Sequence, residues 1–257
     1  EAPRWHEGEL WFTDQHARRV LRMRPDGGMT EVIKTADLPG GLGWLPDGTP
    51  LVVLMTERRV CRIRKGRLED YADLSELAGF HCNDLLVDNT GRAWVGNFGY
   101  DLHGGEPVKE AEIILIPADE PPRIAARHLI FPNGMAITPD GNTLIVAETF
   151  AARISAFDIS ADGQLYERRT WADLDGACPD GLCLAPDLTL WVAAPNIGQV
   201  LQLREGGEVL SRVITRGYPY ACMLTSDAGQ LYITTSETDD PQEAKTRRSG
   251  RIEMTRV

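Results

Sequence analysis

The stretch Asn133–Val146, NGMAITPDGNTLIV, decides the fold. An apolar run, a polar Pro-Asp-Gly-Asn turn and a second apolar run describe two antiparallel strands joined by a hairpin. Extended onward, the unit holds four candidate strands: GMAIT, TLIVAE, RISAFDI and LYERRTWAD. The hairpin pattern recurs as EAPRWHEGELWF from Glu1, GLGWLPDGTPLVV from Gly41, NDLLVDNTGRAWV from Asn83, DGLCLAPDLTLWV from Asp180 and ACMLTSDAGQLYI from Ala221. The starts fall about 40 to 50 residues apart. Four strands per repeat at this period predict a β-propeller blade, and six repeats predict an all-β, six-bladed ring spanning residues 1–257 as one domain. A β-sandwich would not require six copies of one turn pattern. Helical periodicity is scarce, and DLSELAG from Asp73 reads as at most a short helical turn. The sixth unit has only three candidate strands, CMLTS, QLYITTS and RIEMTRV. The chain also lacks an initiating Met, so the strand that closes the ring is expected before Glu1.

The chain is 42% apolar and 25% charged, the balance of an ordinary soluble globular protein. No apolar run approaches the length of a membrane-spanning helix, and no basic-then-apolar leader is visible at Glu1. A net charge of −11 disfavours a nucleic-acid binder. Five cysteines without paired spacing predict reduced thiols rather than a disulfide framework or a zinc site. The expectation is a cytoplasmic protein, a monomer or small homo-oligomer, whose partner is a small molecule rather than a membrane or nucleic acid.

Aligning the six units places Glu1, Gly41, Asn83, Asn133, Asp180 and Ala221 at one repeat position. That position begins the strand nearest the axis, so all six face one end of the central channel. Four carry side-chain oxygen and two are small. Two carboxylates and two amides converging on an axis make a site for a hard divalent cation such as Ca²⁺, Mg²⁺ or Mn²⁺. The alternative for any one of them is turn chemistry, since Asn and Asp beside Gly are common in loops.

At these residues the chain resembles the SMP-30/gluconolactonase/luciferin-regenerating-enzyme family of six-bladed propellers. The segments that carry the likeness are EAPRWHEGELWFTD, HCNDLLVDNTGRAWVGNFG, FPNGMAITPDGNTLIVAET and CPDGLCLAPDLTLWVA, with GLGWLPDG. The resemblance implies a hydrolase of sugar lactones or related cyclic esters that depends on a divalent metal, Ca²⁺ first and Mg²⁺, Mn²⁺, Zn²⁺ or Fe²⁺ as alternatives. It implies Glu1, Asn133 and Asp180 as metal ligands, Asn83 near metal and substrate, and Asp180 as general base. Sugar-lactone members often carry Arg two residues before the Asn matched by Asn83. Here that residue is His81, and a bidentate, permanently charged donor is exchanged for a smaller, switchable one. The same cup acting on a phosphotriester or another carbonyl substrate, or binding calcium without turnover, are the competing readings.

Around this centre, His81 reads as a substrate contact or proton shuttle, with a histidine bonded to neighbouring backbone as the alternative. Asp101 and His103 lie in a Gly-rich loop, NFGYDLHGGEP, that reads as a lid or as solvated surface. Glu148 follows the strand TLIVA and reads as a channel-mouth or surface carboxylate. Tyr220, with Tyr218, reads as a pocket wall. Cys82, Cys178, Cys183 and Cys222 flank the channel positions and read as small buried apolar residues. No G-x-S-x-G elbow, H-E-x-x-H helix or phosphate-binding G-x-x-x-x-G-K-[ST] occurs.

Overall fold

Each blade is built around one hairpin, and in blades 2 to 6 an aspartate sets its turn. In blades 2 to 6 the Asp47, Asp88, Asp140, Asp187 and Asp227 carboxylates accept the backbone N–H two residues on, at 2.9, 2.8, 3.1, 3.1 and 3.2 Å. Such turns form locally, before any distant contact exists. In the computed structural model, which describes residues 1–257, the hairpins grow into six antiparallel sheets. Five have four strands and the sixth has three, each in simple sequence order. Blade 4 comprises Pro132–Ile137, Thr143–Glu148, Arg153–Ile159 and Leu165–Asp173, from the axis outward. Blade 6 comprises Tyr218–Leu224, Gln230–Ser236 and Arg251–Arg256.

The inner strands of blades 2 to 6 begin at Pro39, Cys82, Pro132, Leu182 and Tyr218. Neighbouring ones touch one another, and the last touches the inner strand Arg4–His6 of blade 1, so the ring closes on itself. Between blades lie apolar layers. The fully buried Leu51, Val53, Leu85 and Val95 pack between blades 2 and 3, and Ala147, Leu190 and Val192 between blades 4 and 5. All five cysteines are free thiols, and Cys61, Cys82, Cys183 and Cys222 are buried. Residues 74–78 make a single helical turn, with the Ala78 N–H donating to the Leu74 carbonyl at 2.9 Å.

The one α-helix, Pro241–Arg247, was not expected from the sequence. Its signal was present: Asp240 caps the Gln242 and Glu243 N–H groups, with Pro241 at the first helical position. The helix lies in the segment between the last two strands of blade 6.

Candidate functional site

The inner strands carry an irregularity at the same place in four blades. One extra residue is inserted at Gly40-Gly41, Asn83-Asp84, Asn133-Gly134 and Tyr220-Ala221 relative to the second strand of the blade. A bulge breaks the strict alternation of a strand and re-aims the side chains at it. In blade 5 the equivalent pair, Asp180-Gly181, is held by the Asp180 N–H to the Ala193 carbonyl at 2.8 Å and the Ala193 N–H to the Gly181 carbonyl at 3.0 Å.

The small residues at this position have a packing reason. A Cβ on Gly41 would stand 2.1 Å from the Leu85 nitrogen of the next blade, and one on Gly181 would stand 2.2 Å from the Ala221 Cβ. A Cβ on Gly134 would meet the Leu182 nitrogen at 2.6 Å. Bare backbone here lets adjacent inner strands bond directly. The Gly181 N–H donates to the Tyr220 carbonyl at 2.8 Å, and the Gly134 N–H to the Asp180 carbonyl at 3.3 Å.

The result is a cup of about 260 Å³ whose lining includes Glu1, Gln15, Asn83, Asp84 and Asn133. Asp180 stands beside it, close enough for the charges of Glu1 and Asp84 to act on it. Glu1 is fixed by its backbone: its nitrogen donates to the Thr13 carbonyl and its carbonyl accepts the Thr13 N–H, both at 2.9 Å. The next residue, Ala2, is buried at a left-handed φ of 46°, a conformation that costs a residue with a Cβ roughly 1–2 kcal/mol. Asn133 is buried; its Nδ2 donates to Thr149 Oγ1 at 3.2 Å, and that hydroxyl donates to the Pro179 carbonyl at 2.8 Å. Asn83 Nδ2 donates to the Pro132 carbonyl at 3.4 Å.

These bonds test the fit of a cation. Both amide nitrogens face protein acceptors, which turns the Oδ1 atoms of Asn83 and Asn133 to other use. No arginine, lysine or histidine side chain pairs with Glu1 or Asp180. Burial, then the charges of Glu1 and Asp84, push the Asp180 carboxyl well above the usual carboxylate range. Two carboxylates that no side-chain cation answers, Asp180 eased only by a bond from the Asn133 amide, suit with the amide oxygens a hard divalent ion. Nowhere in the chain do three His, Cys, Asp or Glu residues gather at metal-holding spacing, so this donor set depends on its amides.

Other expected residues fall into different surroundings. Tyr220 is half-buried beside the cup, and burial together with Asp239, Glu1 and Asp180 raises its phenol well above the ordinary value. His81 is half-buried and stacked on Phe80 at 4.0 Å, and its carbonyl accepts the Phe98 N–H. Burial lowers its imidazole below the ordinary value against the pull of Asp37 and Asp101. Asp101 and His103 belong to this outer group, since both charges reach His81. Within its loop Asp101 accepts the Gly104 N–H at 2.8 Å, and His103 is exposed. Burial pushes the Cys82 thiol up to about 12 and also raises Cys178 and Cys222, which leaves these thiols protonated.

Glu148 is a correction. It lies neither at the channel mouth nor on the surface: it is fully buried and accepts from Ile130 N, Arg153, Ser155 and Arg168. Asp84, which lines the cup, and Arg4, which pairs with it from outside the lining, were missed, although both stand in the quoted motifs EAPRW and HCND. Their signal was adjacency to Glu1 and Asn83; their pairing across 80 residues had none.

Comparison with known proteins agrees with this architecture. The model of the SMP-30/Gluconolactonase/LRE-like region matches residues 1–237. A 6-deoxy-6-sulfogluconolactonase of Pseudomonas putida is 27% identical, with 100% of this chain and 90% of that protein aligned. Regucalcin of Danio rerio is 26% identical over 92% of this chain and 82% of its own length. The structure of a gluconolactonase from Xanthomonas campestris superposes with a TM-score of 0.79 at 26% identity, covering 91% of this chain and 82% of that one. With its six blades, its central cup and a family match over most of its length, the chain belongs to the SMP-30/Gluconolactonase/LRE-like family.

Proposed function

We propose that this protein is a lactone hydrolase whose cup holds one divalent cation, Ca²⁺ or a similarly hard ion. The observation that carries the reading is the convergence of Glu1, Asp180, Asn83 and Asn133 without a compensating side-chain cation. The substrate class comes from relatives that are lactonases by name. An ion held by Glu1, Asn133 and Asp180, with Asn83 beside it, would polarise the lactone carbonyl and offset the charge of the oxyanion.

The remaining steps belong to the chain. The Asn133 amide is held by its bond to Thr149 and the Glu1 backbone by its bonds to Thr13, so the donor residues start from fixed positions. Asp180 takes the proton from water as the water oxygen bonds to the carbonyl carbon. It returns that proton to the ring oxygen as the acyl C–O bond breaks, leaving an open-chain hydroxy acid. Tyr220, kept protonated, walls the pocket and offers a hydroxyl donor to the substrate. His81, Asp101 and His103 contact the substituent that projects from the lactone ring. Cation binding without turnover is the second reading, because the same uncompensated oxygens favour it.

The test is hydrolysis of aldonolactones, aliphatic γ- and δ-lactones and a phosphotriester by metal-stripped protein with Ca²⁺, Mg²⁺, Mn²⁺, Zn²⁺ or Fe²⁺ restored. Lactone turnover is expected to return with metal and to fall about 10²–10⁴-fold in a folded Asp180→Asn variant. Tight calcium binding with no turnover of any substrate would overturn the hydrolase in favour of the binding role. Turnover of the phosphotriester alone would overturn the substrate class.

A further inference from the structure

Arg4 points its guanidinium across the start of three blades. Nη1 donates to the Pro3 carbonyl at 3.0 Å in blade 1, and Nε donates to the Leu42 carbonyl at 3.1 Å in blade 2. Nη2 meets Asp84 Oδ1 at 2.6 Å and the Leu85 carbonyl at 3.0 Å in blade 3. The pair is nearly out of solvent, with the Arg4 and Asp84 side chains 13% and 10% exposed. Asp84 nevertheless lines the cup with Glu1, Asn83 and Asn133. It is a third carboxylate at the wall of a site whose other two carboxylates are unpaired, and the guanidinium answers its charge.

We propose that Arg4 is a positioning residue that fixes the cup's charge: by engaging Asp84 it leaves two free carboxylates, and so sets the site for a divalent rather than a trivalent ion. This rests on the cup being a cation site. The physical reason is charge balance. Two carboxylates match a 2+ ion, whereas a third lowers the ion's acidity toward a bound carbonyl and favours a 3+ ion. Asp84 can act on a bound ion because it lines the cup beside Asn83 and its charge reaches Asp180. A simple buried ion pair serving the fold would not need to stand at the cup wall.

The experiment is calorimetric titration of metal-stripped protein with Ca²⁺ and with Tb³⁺, on wild type, Arg4→Met, Arg4→Lys, Asp84→Asn and the double variant. Arg4→Met is expected to bind Tb³⁺ at least about tenfold tighter while gaining less for Ca²⁺. Asp84→Asn, which leaves the guanidinium unanswered, is expected to bind Ca²⁺ about tenfold more weakly. Arg4→Lys is expected to restore most of the wild-type ratio of the two affinities, and the double variant to return close to it. If Arg4→Met is too unstable to titrate, Asp84→Asn, whose amide oxygen can still accept from the guanidinium, and the double variant, which leaves no charge unpaired, still decide the matter. Lowered melting temperatures with unchanged affinities for both ions in these two variants would overturn the proposal and leave Arg4–Asp84 as a structural staple. A wild-type protein that binds neither ion would overturn the cation cup, and this proposal with it; wild-type binding with unresponsive variants overturns this proposal alone.

Discussion

Replacing Glu148 with Gln is expected to cost this protein about 3 kcal/mol of stability, although Glu148 touches nothing in the cup. The carboxylate is fully buried and its oxygens take five hydrogen bonds. Ile130 N–H donates at 2.8 Å, Arg153 at 3.0 and 3.2 Å, Arg168 at 2.6 Å, and Ser155 supplies the fifth. Glutamine keeps one acceptor and turns an amide against groups that are themselves donors. Breaking a buried pair from one side costs roughly 3–5 kcal/mol, and the lower end applies because Arg153 and Arg168 are 35% and 29% exposed and recover water. For a chain of this size about 3 kcal/mol corresponds to a melting shift of roughly 6–12 °C.

The same carboxylate holds the approach to the cup. His128 and Phe131 sit at left-handed φ values of 64° and 54°; Arg168 bonds the His128 carbonyl at 2.7 Å, and Glu148 bonds the Ile130 N–H between them. Asn133 follows two residues after Phe131. Burial works against the Glu148 charge, but the bonds from Arg153, Ser155, Ile130 and Arg168 outweigh it and hold the carboxyl below its ordinary value of 4.5. A folded-state value below the unfolded one means stability present above the unfolded value and lost as pH falls through the folded one. Urea unfolding of wild type and Glu148→Gln should therefore show the full gap at neutral pH and a shrinking gap below about pH 4.5. A gap under about 1 kcal/mol at neutral pH, or one that does not change with acidification, would refute the reasoning.

Gly181→Ala places a methyl 2.2 Å from the Ala221 Cβ and 3.0 Å from the Tyr220 carbonyl, so blades 5 and 6 must part. The expected cost is about 1–3 kcal/mol together with a fall in kcat/KM of about a hundredfold, since Asp180 moves with the strand; unchanged steady-state kinetics would contradict the close packing of inner strands. His81→Arg is expected to shift the ratio of aldonolactone to aliphatic-lactone kcat/KM about tenfold toward the sugar, read by competition assay. A ratio that stays fixed would remove residue 81 from substrate contact.

Blade 4 was legible almost to the residue, because TLIVAE, RISAFDI and LYERRTWAD are short strand-forming segments bounded by turn residues, and the observed strands have those bounds. The site was partly legible for a related reason. In a repeat protein, residues equivalent in sequence are equivalent in space, so Asn83, Asn133 and Asp180 could be brought to one end of the channel by alignment alone. Glu148 was not legible. It ends a strand like any edge carboxylate, and only the arginines arriving from the next two strands of its blade, Arg153 and Arg168, make it a buried node.

The sequence by itself determined the blades, their number and the ring position of the four oxygen-bearing residues. These follow from local turns, strand alternation and a repeat period, which every segment expresses without knowledge of the others. Only the tertiary structure decided which way the side chains at the bulges face, that Gly134 and Gly181 are bare because neighbouring inner strands bond through them and Gly41 because the Leu85 backbone crowds it, and that Arg4 answers Asp84. A bulge shifts a strand's face by one residue with no fixed sequence mark. A contact between residues 80 apart exists only once the ring has closed and brought blades 1, 2 and 3 around one axis.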